Sequence, residues 1–262
     1  MKKHRKQASR RGWESVADWY GGHMGKEGGF YQREVVFPGA LRLLELGPKS
    51  QLLDLACGQG AFVHQVTKKF PHVKVTGIDI SPSLIQQAKH LLPKAMWLVG
   101  DARSRQHRLP SGQFDAATCL LAIQNIDPMD PVFANAAQAL KPRGPFVLVM
   151  NHPAFRPPRQ SSWGWDENQR LQYRRVDRYL KPYRAAIQAH PGTDPSLTTP
   201  SFHRPLSAYV EALTKAGFLV DAMEEWISPK TSDSGPRAKA ENTSRTEIPL
   251  FLAIRARRGI TM

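Results

Sequence analysis

The chain alternates short apolar runs with amphipathic stretches, and this alternation predicts strands and helices in turn. Leu52 to Ala56 is a nearly continuous apolar run, as in a parallel strand that is covered on both faces. It leads into Cys57-Gly58-Gln59-Gly60 and then into a predicted helix over residues 61–69. Such a helix directs its free N–H groups at the glycine turn, so this βα unit is a candidate ligand site.

The same pattern continues to the end of the chain. Further strands are predicted over residues 73–79, 95–99, 114–121, 145–150, 218–226 and 248–254, and further helices over 37–46, 127–140 and 206–217. Residues 167–189 are charge-rich and are predicted to be helical, whereas residues 228–247 lack periodicity and are predicted to be a loop. Strands that alternate with helices favour an α/β fold built around a mostly parallel sheet.

Composition changes this picture little. The 262 residues are 41% hydrophobic, and no apolar run approaches membrane-spanning length. Cys57 and Cys119 are the two cysteines, and both are expected to be buried free thiols. No His or Cys cluster has metal-ligand spacing. We therefore expect a cytoplasmic protein that contacts no membrane and binds no metal.

The glycine turn carries the candidate chemistry. A dinucleotide-binding turn needs a small residue at the position held by Val63, which fits that scheme poorly. Instead Asp54-x-Ala56-Cys57-Gly58-x-Gly60 resembles the first motif of the class I S-adenosylmethionine (SAM) methyltransferases. The next two strands also end in acids, Asp79 and Asp101. An acid at the end of the second strand suits the hydroxyls of a ribose.

The resemblance implies a fold and a cofactor. The fold is Rossmann-like, with helices on both faces of an open seven-stranded sheet in the order 3-2-1-4-5-7-6 and an antiparallel last strand. The cofactor is SAM, and the activity is that of a transferase. The cofactor-binding residues expected from the resemblance are Asp54, Ala56, Gly58, Gly60, Asp79, Ile80, Asp101, Ala102 and Leu120.

Residues 13–46 mix aromatic residues with glycines. Methyltransferases of the ubiquinone/menaquinone-biosynthesis type have a similar Trp-Tyr segment, which lies across the cofactor mouth as a lid. Here Trp19-Tyr20-Gly21-Gly22 carries the likeness, and Tyr20 is a candidate to orient the acceptor. The alternative is that these aromatic residues only pack on the domain.

The acceptor side is expected where the fourth and fifth strands end. Gln124 and Asn125 follow the fourth strand, and Asn151 and His152 follow the fifth. His152 and His203 are candidate general bases, although Asn151-His152-Pro153 would equally serve as a chain turn. Arg156 and Trp163 belong to an Arg-, Pro- and Trp-rich segment that is a candidate acceptor pocket or a packed cap with solvated arginines.

Four segments are expected. They are a basic tail and helical lid (1–46), a SAM-binding core (47–151), an inserted substrate cap (152–204) and a completion of the core sheet (205–262). The net charge of +15 indicates either an acidic partner such as RNA or a basic tail with solvated helix faces.

The sequence therefore predicts a SAM-dependent methyltransferase with a small-molecule acceptor, O, N or C undetermined. The alternatives are an RNA methyltransferase and a non-catalytic SAM- or nucleotide-binding protein.

Overall fold

The computed structural model describes residues 12–104, 109–188 and 198–260. The basic residues of the predicted tail, 2–11, lie outside these ranges. The helices are α1 (Ala17–Met24), α2 (Phe37–Leu43), α3 (Ala61–Lys69), α4 (Pro82–Leu91), α5 (Asp130–Ala139), α6 (Leu206–Lys215) and α7 (Ala238–Glu247). A single π-helical turn, Gln32–Val36, leads directly into α2.

The strands follow the predicted alternation through most of the chain. They are β1 (Gln51–Leu55), β2 (Lys74–Asp79), β3 (Met96–Val99), β4 (Ala116–Leu120), β5 (Pro145–Asn151), β6 (Ser161–Asp166), β7 (Leu171–Val176), β8 (Tyr183–Gln188), β9 (Thr198–His203), β10 (Phe218–Trp226) and β11 (Phe251–Arg258). The last strand begins three residues later than predicted.

Seven strands form one sheet in the order β3-β2-β1-β4-β5-β11-β10. The five strands β1 to β5 are parallel, whereas β11 runs antiparallel to both β5 and β10. Counted within this sheet, β10 and β11 are the sixth and seventh strands, so the predicted order 3-2-1-4-5-7-6 is confirmed.

Alternate residues of the central strands feed two hydrophobic layers. Leu52 of β1 packs in the layer that contains α2, α3 and α4, while Leu53 packs in the layer that contains α5 and α6. Both side chains are fully buried. A parallel strand between two helical layers needs apolar side chains on both of its faces, so its successive residues are apolar. This requirement explains the near-continuous apolar run in the sequence.

The segment between β5 and α6 differs from the prediction. Residues 167–189 were expected to be helical, but their described part contains β7 and β8, which pair antiparallel with β6 and β9 in two hairpins outside the main sheet. Tyr173 faces Gly164 across the first hairpin, where a Cβ on the glycine would lie 2.4 Å from the tyrosine ring. Aromatic and β-branched residues favour such cross-strand packing over a helix.

The loop prediction for 228–247 is also wrong in its second half, which forms α7. The helix is polar throughout, and Ser244 is its buried residue. Ser244 donates a hydrogen bond to the Gln172 side chain of β7 at 3.0 Å. Because tertiary contacts rather than an apolar stripe hold this helix, no periodic pattern reveals it in the sequence. Within the described ranges, no helix has the length and apolar character needed to cross a membrane.

Candidate active site

A small cavity of about 60 Å³, open to solvent, lies at the carboxyl ends of β1 and β4. These two strands flank the point where the strand order reverses, and in open α/β sheets ligands bind in the crevice there. The residues that line it are Tyr20, Met24, Gln32, Phe37, Asp54, Ala56, Cys57, Gly58, Gln59, Ala61, Phe62, Leu120 and Leu121.

The glycine turn between β1 and α3 shapes one wall of the cavity. Gly58 and Gly60 adopt φ values of 57° and 81°, a region that favours glycine. A Cβ on Gly58 would meet no atom within 4 Å, so this residue leaves open space on the cavity side. A Cβ on Gly60 would lie 2.7 Å from the Trp97 ring. The first glycine therefore opens the site, and the second allows close packing behind it.

Asp54 contributes a carboxylate at the floor of the cavity. Its side chain is buried, and Thr118 donates a hydrogen bond to its Oδ1 at 2.7 Å. Burial raises the pKa of Asp54 to about 7, although the bond from Thr118 opposes that rise. No cationic side chain of the described residues forms an ion pair with it. A positively charged group on a ligand would stabilise the ionised form.

Asp79 holds the glycine turn from the end of β2. Its two carboxylate oxygens accept hydrogen bonds from the backbone N–H groups of Gly58, at 2.8 Å, and Ser81, at 2.9 Å. Burial raises the pKa of Asp79, and these bonds oppose the rise. Asp79 and the following Ile80 are not among the residues that line the cavity. Asp79 thus supports the wall that Gly58 forms.

Asp101 follows β3 and is engaged by a residue that the sequence analysis did not single out. The guanidinium of Arg103 donates to Oδ1 of Asp101 from Nε at 2.9 Å and to Oδ2 from Nη2 at 2.6 Å. The neighbouring Ala102 is buried, and its carbonyl accepts a hydrogen bond from Asn135 of α5 at 2.8 Å. Neither Asp101 nor Ala102 lines the cavity.

Gln59 presents an acceptor with no partner. Its Nε2 donates to the carbonyl of Gly25 at 2.6 Å, while its buried Oε1 has no hydrogen-bond partner among the described residues. The cavity therefore offers the Asp54 carboxylate and a free amide oxygen, beside apolar Phe37, Phe62 and Leu120. SAM, which carries an ammonium and a sulfonium together with apolar and aromatic parts, fits this set of groups.

Residues 12–29 contribute to the cavity lining and are attached to the core at two points. At one end, the carboxylate of Glu14 accepts hydrogen bonds of 2.5 Å from the hydroxyls of Ser81 and Ser83, at the start of α4. At the other end, Glu27 pairs with Lys68 of α3 at 2.8 Å. We call this segment the N-terminal strap. It contributes Tyr20 and Met24 to the cavity lining.

Tyr20 of the strap is protonated at neutral pH, because burial raises the pKa of its hydroxyl. Gln32 donates a long hydrogen bond to that oxygen, at 3.4 Å, from the π-helical turn. Single π-helical turns within helices are frequent at functional sites. The phenol proton is therefore available to a ligand oxygen.

The two candidate bases have other partners. Nε2 of His152 donates to Glu225 at 2.7 Å, and its Nδ1 accepts from the backbone N–H of Ala154 at 3.2 Å. Nε2 of His203 donates to the carbonyl of Tyr179 at 2.6 Å. Burial lowers the pKa of both imidazoles. Neither histidine lines the cavity.

The structure places the predicted acceptor residues at different distances along the chain from the cavity. Gln124 is next to the cavity, because it donates to the carbonyl of the lining residue Leu121 at 2.8 Å, and its buried Oε1 has no partner among the described residues. Asn125 ends the same 3₁₀ turn, and Asn151 is the exposed last residue of β5. Arg156 and Trp163 lie further along the chain, before and within β6.

Several lining residues were not identified from the sequence: Met24, Gln32, Phe37, Gln59 and Phe62. Gln59 had a usable signal, since it stands between the two glycines. The others reach the cavity from separate helices, and only their apolar or amide character was visible. No group of three or more His, Cys, Asp or Glu side chains with the geometry to hold a metal occurs in the part of the chain that the structure describes.

Comparison with known proteins agrees with this geometry. A family model described as a methyltransferase domain matches residues 52–144. Demethylmenaquinone methyltransferase from Thermotoga maritima is 32% identical over 109 residues, which is 41% of this chain and 45% of that protein. Trans-aconitate 2-methyltransferase from Escherichia coli is 28% identical over 97 residues, 37% of each chain. The chain thus spans less than half the length of these curated relatives.

A solved structure extends the likeness beyond the core. The SAM-dependent methyltransferase from Mesorhizobium loti superposes with a TM-score of 0.67 at 25% identity, over 89% of this chain and all of that one. The strand order, the glycine turn at the switch point and the matched domain lead to one conclusion. Residues 52–144 belong to the class I SAM-dependent methyltransferases, and they resemble those of the ubiquinone/menaquinone-biosynthesis type.

Proposed function

We propose that the protein is an enzyme that transfers the methyl group of SAM to a small-molecule acceptor. The observation that carries the proposal is the Asp54 carboxylate, which is buried at the cavity floor without a cationic partner among the described residues. Such a group is costly unless a ligand supplies the positive charge. The relatives support a small acceptor, because they are named for demethylmenaquinone and trans-aconitate.

The cofactor would be held along the carboxyl edge of the sheet. We assign the amino-acid end of SAM to Asp54, Ala56, Gly58 and the free oxygen of Gln59, with Gly60 allowing the turn. Asp79 and Ile80 would contact the ribose, as an acid at the end of the second strand does in related folds. Asp101, Ala102 and Leu120 would surround the adenine.

When bound, SAM supplies a methyl carbon that is made electrophilic by the adjacent sulfonium. The protein's part is to orient the acceptor and to exclude water, and orientation alone accounts for several kcal/mol of barrier lowering in enzymes. The N-terminal strap covers the cavity mouth and provides the exclusion. Tyr20, whose hydroxyl is protonated, donates a hydrogen bond to an acceptor oxygen and so orients it. Gln124 and Asn125 would border the acceptor.

In this proposal His152 and His203 have structural roles and do not act as general bases. Both ring nitrogens of His152 and Nε2 of His203 are engaged in hydrogen bonds, and the pKa of each imidazole is lowered, so we place these residues in the scaffold rather than at the reacting atoms. The proposed reaction therefore suits an acceptor atom that is nucleophilic without a protein base, such as an amine or an activated carbon.

The test is transfer of a labelled methyl group from SAM into an extract of the producing organism, separated into small-molecule, RNA and protein fractions. We expect label in the small-molecule fraction, and we expect Asp54→Asn to abolish it. A control with Asp233→Asn, an exposed acid in the loop after β10, should transfer normally. Label in RNA would contradict the small-molecule assignment. Binding of SAM without transfer into any fraction would contradict the enzymatic one.

A further inference from the structure

A group of basic and aromatic side chains lies where β5 and β11 meet at the carboxyl edge of the sheet. The ring of Tyr31 packs against Phe251, the first residue of β11, with centroids 5.8 Å apart. The hydroxyl of Tyr31 is 3.2 Å from that of Ser228, and the ammonium of Lys230 lies 5.2 Å from the centre of the tyrosine ring. We define the Arg156 cluster as Tyr31, Arg156, Arg174, Ser228 and Lys230.

Arg174 is hydrogen-bonded to the backbone directly beside Arg156. Arg174 is fixed by hydrogen bonds of 2.7 Å to the carbonyl of Phe155, the residue before Arg156, and to the hydroxyl of Ser161. Its guanidinium also stacks over Trp163 at 5.1 Å. Burial and the charge of Arg156 lower the pKa of Arg174. Burial also lowers the pKa of Arg156, and Tyr31 opposes that lowering. The cluster thus concentrates positive charge in a partly buried place.

No acid among the described residues pairs with this charge. In the described ranges, Arg156, Arg174 and Lys230 form no ion pair with an Asp or Glu. Other partly buried arginines of the chain do have carboxylate partners: Arg255 and Arg257 share Asp221 and Glu45, Arg103 binds Asp101, and Arg204 binds Asp127. Arg156 and Arg174 differ from these arginines, because neither pairs with a carboxylate among the described residues.

The cluster adjoins the proposed reaction site through two elements. Tyr31 directly precedes Gln32, which lines the cavity from the π-helical turn. Arg156 follows β5, and β5 pairs with β4, whose last residue Leu120 also lines the cavity. Leu121, the next lining residue, donates to Val149 of β5 at 2.7 Å. The cluster and the cavity therefore share the same edge of the sheet.

We propose that the Arg156 cluster binds an anionic group of the methyl acceptor, a carboxylate or a phosphate, and so selects acidic small molecules. This inference rests on the proposed function, because it names the acceptor class for the same site. A sheltered guanidinium without an acid gains most from an oxyanion, which it binds with two parallel, charge-assisted hydrogen bonds. The hydroxyl of Tyr31 supplies a further polar contact, and the Tyr31 and Phe251 rings suit an apolar body attached to the anion.

The test uses three probes that share a phenyl ring: phenyl phosphate, benzoate and the neutral benzamide, which matches benzoate in size. Their binding to the full chain is measured by calorimetry with S-adenosylhomocysteine present, in the wild type, in Arg156→Met and in Lys230→Met. Arg184→Met is the matched control, since it removes one exposed arginine of β8 from the same inserted segment. Binding of S-adenosylhomocysteine is measured first in each protein. This control shows whether the fold and the cofactor site are intact before the probes are compared.

We expect at least one anionic probe to bind roughly tenfold more tightly than benzamide, and to lose roughly tenfold in Arg156→Met but not in Arg184→Met. Lys230→Met, at an exposed position, should give a smaller loss. A preference for phenyl phosphate or for benzoate identifies the anion. The proposal is overturned if benzamide binds as well as the anions, if no anion binds at millimolar concentration, or if Arg156→Met keeps its affinity. Failure of the wild type to bind S-adenosylhomocysteine would instead contradict the proposed function.

Discussion

Thr118 donates a hydrogen bond of 2.7 Å to the carboxylate of Asp54, from β4 to the adjacent strand β1. The two strands flank the point where the sheet order reverses, so this bond lies directly beneath the cavity. It supports a carboxyl group that burial drives toward the protonated form at neutral pH. The charge at the floor of the site therefore depends on what occupies the cavity.

The contribution of Asp54 to the stability of the ligand-free protein should fall as the pH rises toward 7. Because the folded-state pKa of Asp54 is about 7, well above its usual value, the folded chain retains a proton that the unfolded chain has already released. The stabilising contribution is present at acidic pH and is lost as the pH rises through about 7. The full effect is on the order of several kcal/mol.

Urea unfolding at a series of pH values measures this effect. Asp54→Asn should reduce the fall in free energy of unfolding between pH 5 and 7.5, whereas Asp233→Asn should leave the wild-type curve unchanged. Saturating SAM should also flatten the curve, since its positive charge favours the ionised carboxylate. A variant curve that follows the wild type would contradict the assigned pKa.

The two glycines of the turn should respond differently to the same substitution. Both have positive φ, so alanine costs about 1–2 kcal/mol of backbone strain at either position. Gly60→Ala should cost more in stability, because its Cβ would also meet the Trp97 ring. Gly58→Ala has room for the added carbon on the cavity side, so its loss of stability should be smaller. Because that carbon would occupy the cavity, this variant should bind SAM more weakly. Thermal unfolding and calorimetry on both variants separate the two effects, and equal losses of stability would contradict the distinction.

Glu14 should control how long the cofactor stays bound. Glu14→Ala removes the hydrogen bonds to Ser81 and Ser83 and frees one end of the N-terminal strap. We expect the dissociation rate of S-adenosylhomocysteine to rise severalfold, since loss of one or two charge-assisted bonds favours the open strap. Stopped-flow fluorescence measures the rate. Glu167→Ala is a suitable control, because this exposed acid pairs with Arg237 away from the strap. An unchanged rate would show that the strap does not gate the cavity.

His152 should affect stability more than chemistry. His152→Ala removes the bonds to Glu225 and Ala154 and the contact with the Phe155 ring, at a cost of about 1–3 kcal/mol. The rate of methyl transfer per folded molecule should change little. Because burial lowers the pKa of His152, its contribution to stability should fall as the pH falls below the usual histidine range, and the variant should lack this pH dependence. A hundredfold fall in rate with normal stability would instead identify His152 as a general base.

The sequence alone determined the core of this protein, because its signals there are local. The apolar run at Leu52, the αL glycines that follow it and the Ser81-Pro82 helix start each act within a few residues. Their repetition predicts parallel βα units, and the acids at strand ends indicate where a ligand binds. Residues 61–69 and 218–226 even match their predicted bounds.

Only the tertiary structure decided the parts that depend on contacts distant in sequence. The strand β7 forms because its Tyr173 packs over Gly164 in the opposite strand. The helix α7 is held by the hydrogen bond from Ser244 to Gln172. Glu14 reaches Ser83 across 69 residues, and His152 reaches Glu225 across 73. No pattern within a short window encodes such pairs, since each side chain alone is compatible with solvent. For this reason the sequence indicated the cofactor edge and a possible lid, while the contacts that anchor the strap, the partners of the histidines and the Arg156 cluster became visible only in the folded chain.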